Sequence, residues 1–89
     1  MYRIDFTLSA LKDLKKIDPL WQRKILDRIK LLASGFQNDH QIKKIKGGPR
    51  NRFRVRVGDY RIVFDQEEGI KILLILRIGH RKEIYRSLS

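Results

Sequence analysis

The chain has 89 residues, of which 21 are Lys or Arg and 10 are Asp or Glu, leaving a formal charge of +11. That length supports one domain, residues 1–89, with a thin core, since a domain so small buries about 60–65% of the surface its unfolded chain exposes. There is no cysteine, so neither disulfides nor a thiolate metal centre can supplement that core, and the composition fits a reducing compartment.

The charge is the first functional signal. Solubility asks for a net charge of roughly 2–8 in a small domain. Self-repulsion beyond that costs stability, and a polyanionic partner such as nucleic acid or the ribosome is the expected reason for tolerating it. A basic face that meets an acidic protein is the other reading, and the two are compatible. Met1 to Phe6 carries charge at once and lacks the apolar stretch of a secretory leader. The longest uninterrupted apolar run, Ile72 to Leu76, has five residues, far too few to cross a bilayer. The expectation is a soluble, cytoplasmic protein with no membrane partner.

Tyr2 to Phe6 alternates with period two and reads as a strand, with Tyr2, Ile4 and Phe6 on one face. From Ser9 the spacing becomes helical, with Leu11, Leu14 and Ile17 as the stripe and Lys12, Lys15 and Lys16 off it. Asp18-Pro19 starts a second helix, with Asp as N-cap and Pro at the first helical position. Trp21, Ile25, Ile29 and Leu32 form its apolar face, and Gly35 stops it. Two short helices after one strand make a hairpin that must pack on a sheet.

The rest reads as strands. Gln41 to Lys46 is weakly patterned, with Ile42 and Ile45 as anchors, and Gly47-Gly48-Pro49 is a turn. Arg52 to Val57 alternates strictly, Gly58-Asp59 is a two-residue hairpin signal, and Tyr60 to Phe64 follows. After a turn over Gln66–Gly69, Ile70 to Ile78 is apolar at nearly every position, as in a central strand covered on both faces. Gly79 ends it. The order β-α-α-β-β-β gives an α+β domain in which antiparallel strands form one small sheet, helices on one face and the other face available.

The hairpin fixes a register. With Gly58 and Asp59 as the loop, Val57 faces Tyr60, Arg56 faces Arg61, Val55 faces Ile62, Arg54 faces Val63 and Phe53 faces Phe64. The apolar members then share the core side, whereas Arg52, Arg54, Arg56 and Arg61 share the other, with no acid expected among them. Directly opposed like charges destabilise a sheet. A fold that accepts Arg56 against Arg61 is using the pair, and a phosphate held between two guanidinium forks is the simplest use. The competing reading is a solvated basic face.

Beyond the last strand, His80, Arg81 and Tyr85 are expected in a loop or short turn. Taken alone, Tyr85 reads as an apolar plug. His80 has a pKa range suited to acid–base work but reads first as structural. His40 and Glu83 read as surface residues. Two histidines without cysteine or a spaced carboxylate cluster make no metal site, and no cofactor is expected.

The stretch Gly58-Asp-Tyr-Arg-Ile-Val-Phe64 followed by Arg77-Ile-Gly-His-Arg-Lys-Glu-Ile-Tyr85 resembles the C-terminal half of the RelE/ParE toxin superfamily. The Lys43-Lys-Ile-Lys-Gly47 approach, the N-terminal strand and the helical hairpin are similar too, so the resemblance spans the chain. RelE-type members are ribosome-dependent endoribonucleases that cut mRNA in the A site, and ParE-type members keep the fold but poison DNA gyrase. The resemblance implies a toxin held by a cognate antitoxin, with the ribosome and mRNA as partners. It places the RelE-type basic residues on Arg54, Arg56, Arg61 and Arg81 and the tyrosine on Tyr85. The first two are arginine where the enterobacterial pattern has lysine, which keeps charge but argues against proton transfer there.

The implied chemistry is metal-independent. The 2′-OH of the RNA attacks the adjacent phosphorus, which needs a base, positive charge on the phosphorane and an acid for the leaving 5′-oxygen. Arg61 and Arg56 would stabilise the transition state. Tyr85 would be the base if the arginines lower its pKa from about 10. Arg81 would serve the leaving oxygen, with water or His80 as the alternative proton source. Arg54 and Arg52, with Lys44 and Lys46, would bind RNA. The alternatives are a ParE-like gyrase inhibitor without nuclease activity, and a plain RNA-binding module, disfavoured because the exposed hairpin face offers arginine rather than stacking rings.

Overall fold

A computed structural model of the chain describes residues 1–35 and 40–80. The described elements are β1 (Arg3–Phe6), α1 (Leu8–Lys15), α2 (Pro19–Ser34), β2 (Lys43–Lys44), β3 (Arg52–Val57), β4 (Tyr60–Glu67) and β5 (Ile72–His80). They make a five-stranded sheet in the order β1-β5-β4-β3-β2 with two helices, an α+β fold. The weakly patterned segment contributes β2, a two-residue edge strand that adds one strand to the expected order. The sheet is mixed: β1 runs parallel to β5 and the other pairs are antiparallel.

The helices start where local chemistry dictates. The Thr7 hydroxyl accepts the Ala10 N–H at 3.0 Å, and an Asp18 carboxylate oxygen accepts the Leu20 N–H at 2.9 Å, so each helix has a side-chain N-cap. Pro19 occupies the first turn of α2, where its missing N–H costs nothing, and Gly35 closes the helix at φ +128°. Ile25, Ile29 and Leu32 point inward from α2 as the spacing predicts. On α1 the inward stripe is Ala10 and Leu14 rather than Leu11, which is 40% exposed. The difference is one of phase: α1 is set by Thr7 and ends at Lys15, so Ile17 is buried from the link between the helices.

The core lies between α2 and one sheet face, where Val55, Ile62, Phe64, Leu73, Ile75 and Ile78 meet Ile25, Ile29 and Leu32. Full burial of each aliphatic side chain contributes about 1.5–3 kcal/mol. In β5 the inward positions are Leu73, Ile75 and Ile78, out of strict alternation, because a bulge between Val63 and Phe64 of the β4 ladder shifts the register by one residue. The strand buried on both faces is β4, the middle of the five, where Arg61 to Asp65 are all buried. The sequence points to β5 for that role. The second sheet face is therefore closed along its centre rather than open throughout.

Past Ile75, β1 no longer reaches β5, and α1 takes its place. The Thr7 hydroxyl donates to the Leu76 carbonyl at 2.8 Å. Asp13 accepts the Ile78 N–H at 3.0 Å and the Arg77 guanidinium at 2.8 and 3.1 Å. These bonds satisfy a strand edge that would otherwise be free to recruit another chain.

Candidate functional site

The β3–β4 hairpin has the register that its sequence implies. Val57 pairs with Tyr60, Arg56 with Arg61, Val55 with Ile62, Arg54 with Val63 and Phe53 with Phe64. Val55, Ile62 and Phe64 are buried and Phe53 is half-buried. Gly58 takes φ +59° at the first loop position, the glycine-first pattern of a two-residue hairpin. A Cβ on Gly58 would run into the indole of Trp21, so the tip of the hairpin rests on α2 with no room for a side chain. Trp21 in turn packs against Tyr60 at 5.8 Å between ring centroids, and the Lys24 ammonium lies 4.5 Å from its ring.

On the face away from the helices, the hairpin opens a cleft of about 600 Å³ lined by Gln41, Lys43, Arg54, Val55, Arg56, Gly58 and Arg61. Four of these side chains are cationic, and no carboxylate lines the cleft among the described residues. Arg56 is exposed at the rim and Arg54 half-buried, whereas Arg61 is only 7% exposed. Arginine forks at these positions suit bidentate contacts to phosphate oxygens. They stand on a strand pair whose other face, at Val55, Ile62 and Phe64, is held in the core, so the backbone that carries them is fixed.

Arg52 does not belong to the cleft. It faces Asp65, and its guanidinium donates to the two carboxylate oxygens at 2.8 and 3.1 Å. This hydrogen bonding raises the Arg52 pKa above its ordinary value despite partial burial. The arginine face thus does carry an acid, and the acid neutralises the one arginine farthest from the turn. The signal was in the sequence: the register that sets Arg56 against Arg61 sets Arg52 against Asp65 four residues on.

The lysines are redistributed as well. Lys43 pairs with Arg54 and lines the cleft, a position that sequence reasoning missed together with Gln41. Lys44 pairs with Phe53 and borders a separate depression of about 490 Å³ with Arg50, Asn51, Gln66, Glu67 and Glu68. Lys46 is exposed in the turn that follows β2.

His80 is the last residue of β5 rather than part of a loop. The strand continues through Gly79 because β4 still offers partners: Arg61 faces Gly79 and Tyr60 faces His80. The imidazole lies edge-on to Tyr60 at 5.6 Å between centroids, on the helix side of the sheet and away from Arg56 and Arg61. Arg81 and Tyr85 lie outside the described residues. Among the described residues no group of three or more His, Asp or Glu side chains is placed to hold a metal ion.

A family model described as the ParE toxin of the type II toxin–antitoxin system, parDE, matches residues 4–85. The chain is 38% identical to Toxin RelE3 of Methanocaldococcus jannaschii over 93% of its own length and 94% of that protein's. It is 31% identical to Toxin RelG of Mycobacterium tuberculosis over 96% of its own length and 97% of that protein's. A crystal structure of a RelB–RelE antitoxin–toxin complex from Methanococcus jannaschii contains a chain 30% identical, with a TM-score of 0.76, covering 96% of this chain and 99% of that one. With the strand order, the helical hairpin and the arginine-lined hairpin in place, the chain belongs to the RelE/ParE superfamily of type II toxin–antitoxin toxins.

Proposed function

We propose that this toxin is a ribosome-dependent endoribonuclease that cleaves mRNA in the A site by attack of the 2′-OH. The observation that carries the reading is the cleft lined by Lys43, Arg54, Arg56 and Arg61 with no carboxylate among the described residues. Such a cluster suits a dianionic phosphorane better than a single phosphate diester, so its stabilisation is differential, the condition for raising a rate. In the proposed step the O2′–P bond forms and the P–O5′ bond breaks, giving a 2′,3′-cyclic phosphate and a free 5′-OH. Arg61 and Arg56 hold the non-bridging oxygens and Arg54 a flanking phosphate. Tyr85 takes the proton of the 2′-OH, and Arg81 serves the leaving oxygen, with water as the proton source; both assignments rest on the resemblance of the sequence.

A cognate antitoxin is the proposed controlling partner, in keeping with the RelB–RelE complex of the relative. Its expected mode is an acidic or amphipathic segment that covers the arginine face.

A second reading, inhibition of DNA gyrase without nuclease activity, is favoured by the ParE description of the matched family model. One experiment separates the two: primer extension on cellular mRNA after brief induction, beside a gyrase supercoiling assay. Cleavage within codons with normal supercoiling supports the nuclease. Growth arrest with intact mRNA and inhibited gyrase overturns it.

A further inference from the structure

We infer that Lys43 and Arg54 form a second phosphate subsite, so that the cleft holds two successive phosphates of one RNA strand running along β3, and that the Arg52–Asp65 pair closes the track. The inference rests on the proposed RNA-directed activity and assigns its binding register.

The geometry comes in three rows across the sheet. Nearest the turn, Arg56 and Arg61 are cross-strand partners. In the next row on the same face, Lys43 on β2 partners Arg54 on β3. In the third, Arg52 partners Asp65. Partners on neighbouring strands stand about 4.8 Å apart, and rows on one face repeat every two residues, about 6.6–6.8 Å along the strand. An extended, unstacked ribonucleotide strand can match that repeat between successive phosphates.

Each of the first two rows sets a cation directly against a cation, an arrangement that destabilises a sheet unless an anion lies between. The third row sets opposite charges together in a bidentate ion pair that leaves neither oxygen free for that purpose. Lys43, Arg54 and Arg56 are in no ion pair with any described carboxylate, so their charge is directed at the cleft. Lysine at the edge position also fits: an ammonium on a flexible stem can follow a phosphate that is less rigidly placed than the one at the Arg56–Arg61 row. Among the described residues β2 is the edge of the sheet, so no further described strand flanks the cleft beyond Lys43.

The test is salt-dependent binding of the full chain to a short single-stranded oligoribonucleotide with 2′-O-methyl riboses, which cannot be cleaved, followed by fluorescence anisotropy from about 50 to about 200 mM salt. Each phosphate contact contributes about 0.7 to the slope of log affinity against log salt for a single strand. Lys43→Ala and Arg54→Ala should each lower that slope, and the double variant should lower it by about 0.7, the contribution of the one phosphate they share. Lys43→Arg should restore it. Replacing the ion pair at constant net charge, Arg52→Gln with Asp65→Asn, should leave the slope as in the wild type. An unchanged slope in Lys43→Ala, or an equal loss in the pair-replaced variant, overturns the subsite while RNA binding stands. No binding by the wild-type chain at the lowest salt overturns the subsite and the RNA reading together. Lys43 is exposed and lies outside the core cluster, so its variants should fold, which circular dichroism checks.

Discussion

Arg52 and Arg56 occupy the same face of the same strand, four residues apart, and the fold treats them in opposite ways. Arg52 faces Asp65 and is held in a bidentate ion pair; Arg56 faces Arg61 across a basic cleft. Residue type and strand position are alike, so the partner across the ladder decides the role. At the far end of the hairpin, charge is used to join two strands. At the turn end, it lines a cleft to which no described residue brings a carboxylate. A net charge of +11 therefore overstates the binding surface, because part of it is consumed inside the sheet.

The largest difference between the two ends of the hairpin is expected at Arg61. In the proposed nuclease, Arg61→Ala should lower the single-turnover cleavage rate on programmed ribosomes by about 10²–10³-fold, the usual loss for one charge-stabilising donor. Ribosome binding should fall far less, since several cations remain and the loss is in the transition state. Arg52→Ala should change the rate by no more than a few-fold. Equal losses at the two positions would mean that the face acts as one undivided patch.

A smaller effect is expected at the turn that presents the cleft. Gly58→Ala combines a left-handed backbone with a clash against Trp21 and should cost about 1–3 kcal/mol in urea unfolding. Trp21 is the single tryptophan, so its emission should report the altered packing directly. Wild-type stability with unshifted emission would mean that the turn does not rest on α2.

At the other end of the hairpin, Asp65→Asn keeps the shape and removes the charge. The expected loss is about 1–2 kcal/mol of stability, modest because the Arg52 side chain is 29% exposed. Affinity for RNA should rise slightly, as Arg52 is released to the cleft side. The Arg52 guanidinium, raised above its ordinary value by Asp65, is charged at every physiological pH. Its contribution is complete below the unfolded value and is lost only as pH rises through the folded one, so between pH 6 and pH 9 it should add no slope to a stability profile.

The hairpin was legible in the sequence because three signals agree: strict alternation, a Gly-Asp loop and apolar partners that all fall on one side. Asp18-Pro19 and Gly35 marked α2 by the same kind of agreement. What escaped depends on pairing between segments distant in the chain. Lys43 could not be placed because two residues of edge strand carry no periodicity, and only the ladder with β3 gives Lys43 and Lys44 their faces. The bulge in β5 is hidden in a run where every residue is apolar, so no alternation records the shift. Gly79 looks like a strand end only in isolation; opposite Arg61 it keeps a ladder partner on β4, and the strand runs on to His80.

His80 gives the smallest expected effect and the sharpest use of the two faces. An imidazole is a common proton carrier, and His80 lies next to Arg81 in sequence, but its ring packs edge-on against Tyr60 on the helix side. Through the sheet from the cleft, an imidazole cannot reach the 2′-OH or the 5′-oxygen of a phosphate held by Arg56 and Arg61. His80→Phe keeps an aromatic edge against Tyr60 and should leave stability and cleavage near the wild type. His80→Ala loses the ring contact and should cost about 0.5–1.5 kcal/mol, again with little change in rate. The measurement that decides is the pH–rate profile from pH 5 to pH 9. If His80 only packs, the profile of His80→Phe superimposes on that of the wild type. Loss of a limb of the profile, with the rate reduced equally in both variants, would mean that the ring takes part in proton transfer and that the end of β5 turns toward the cleft when RNA binds.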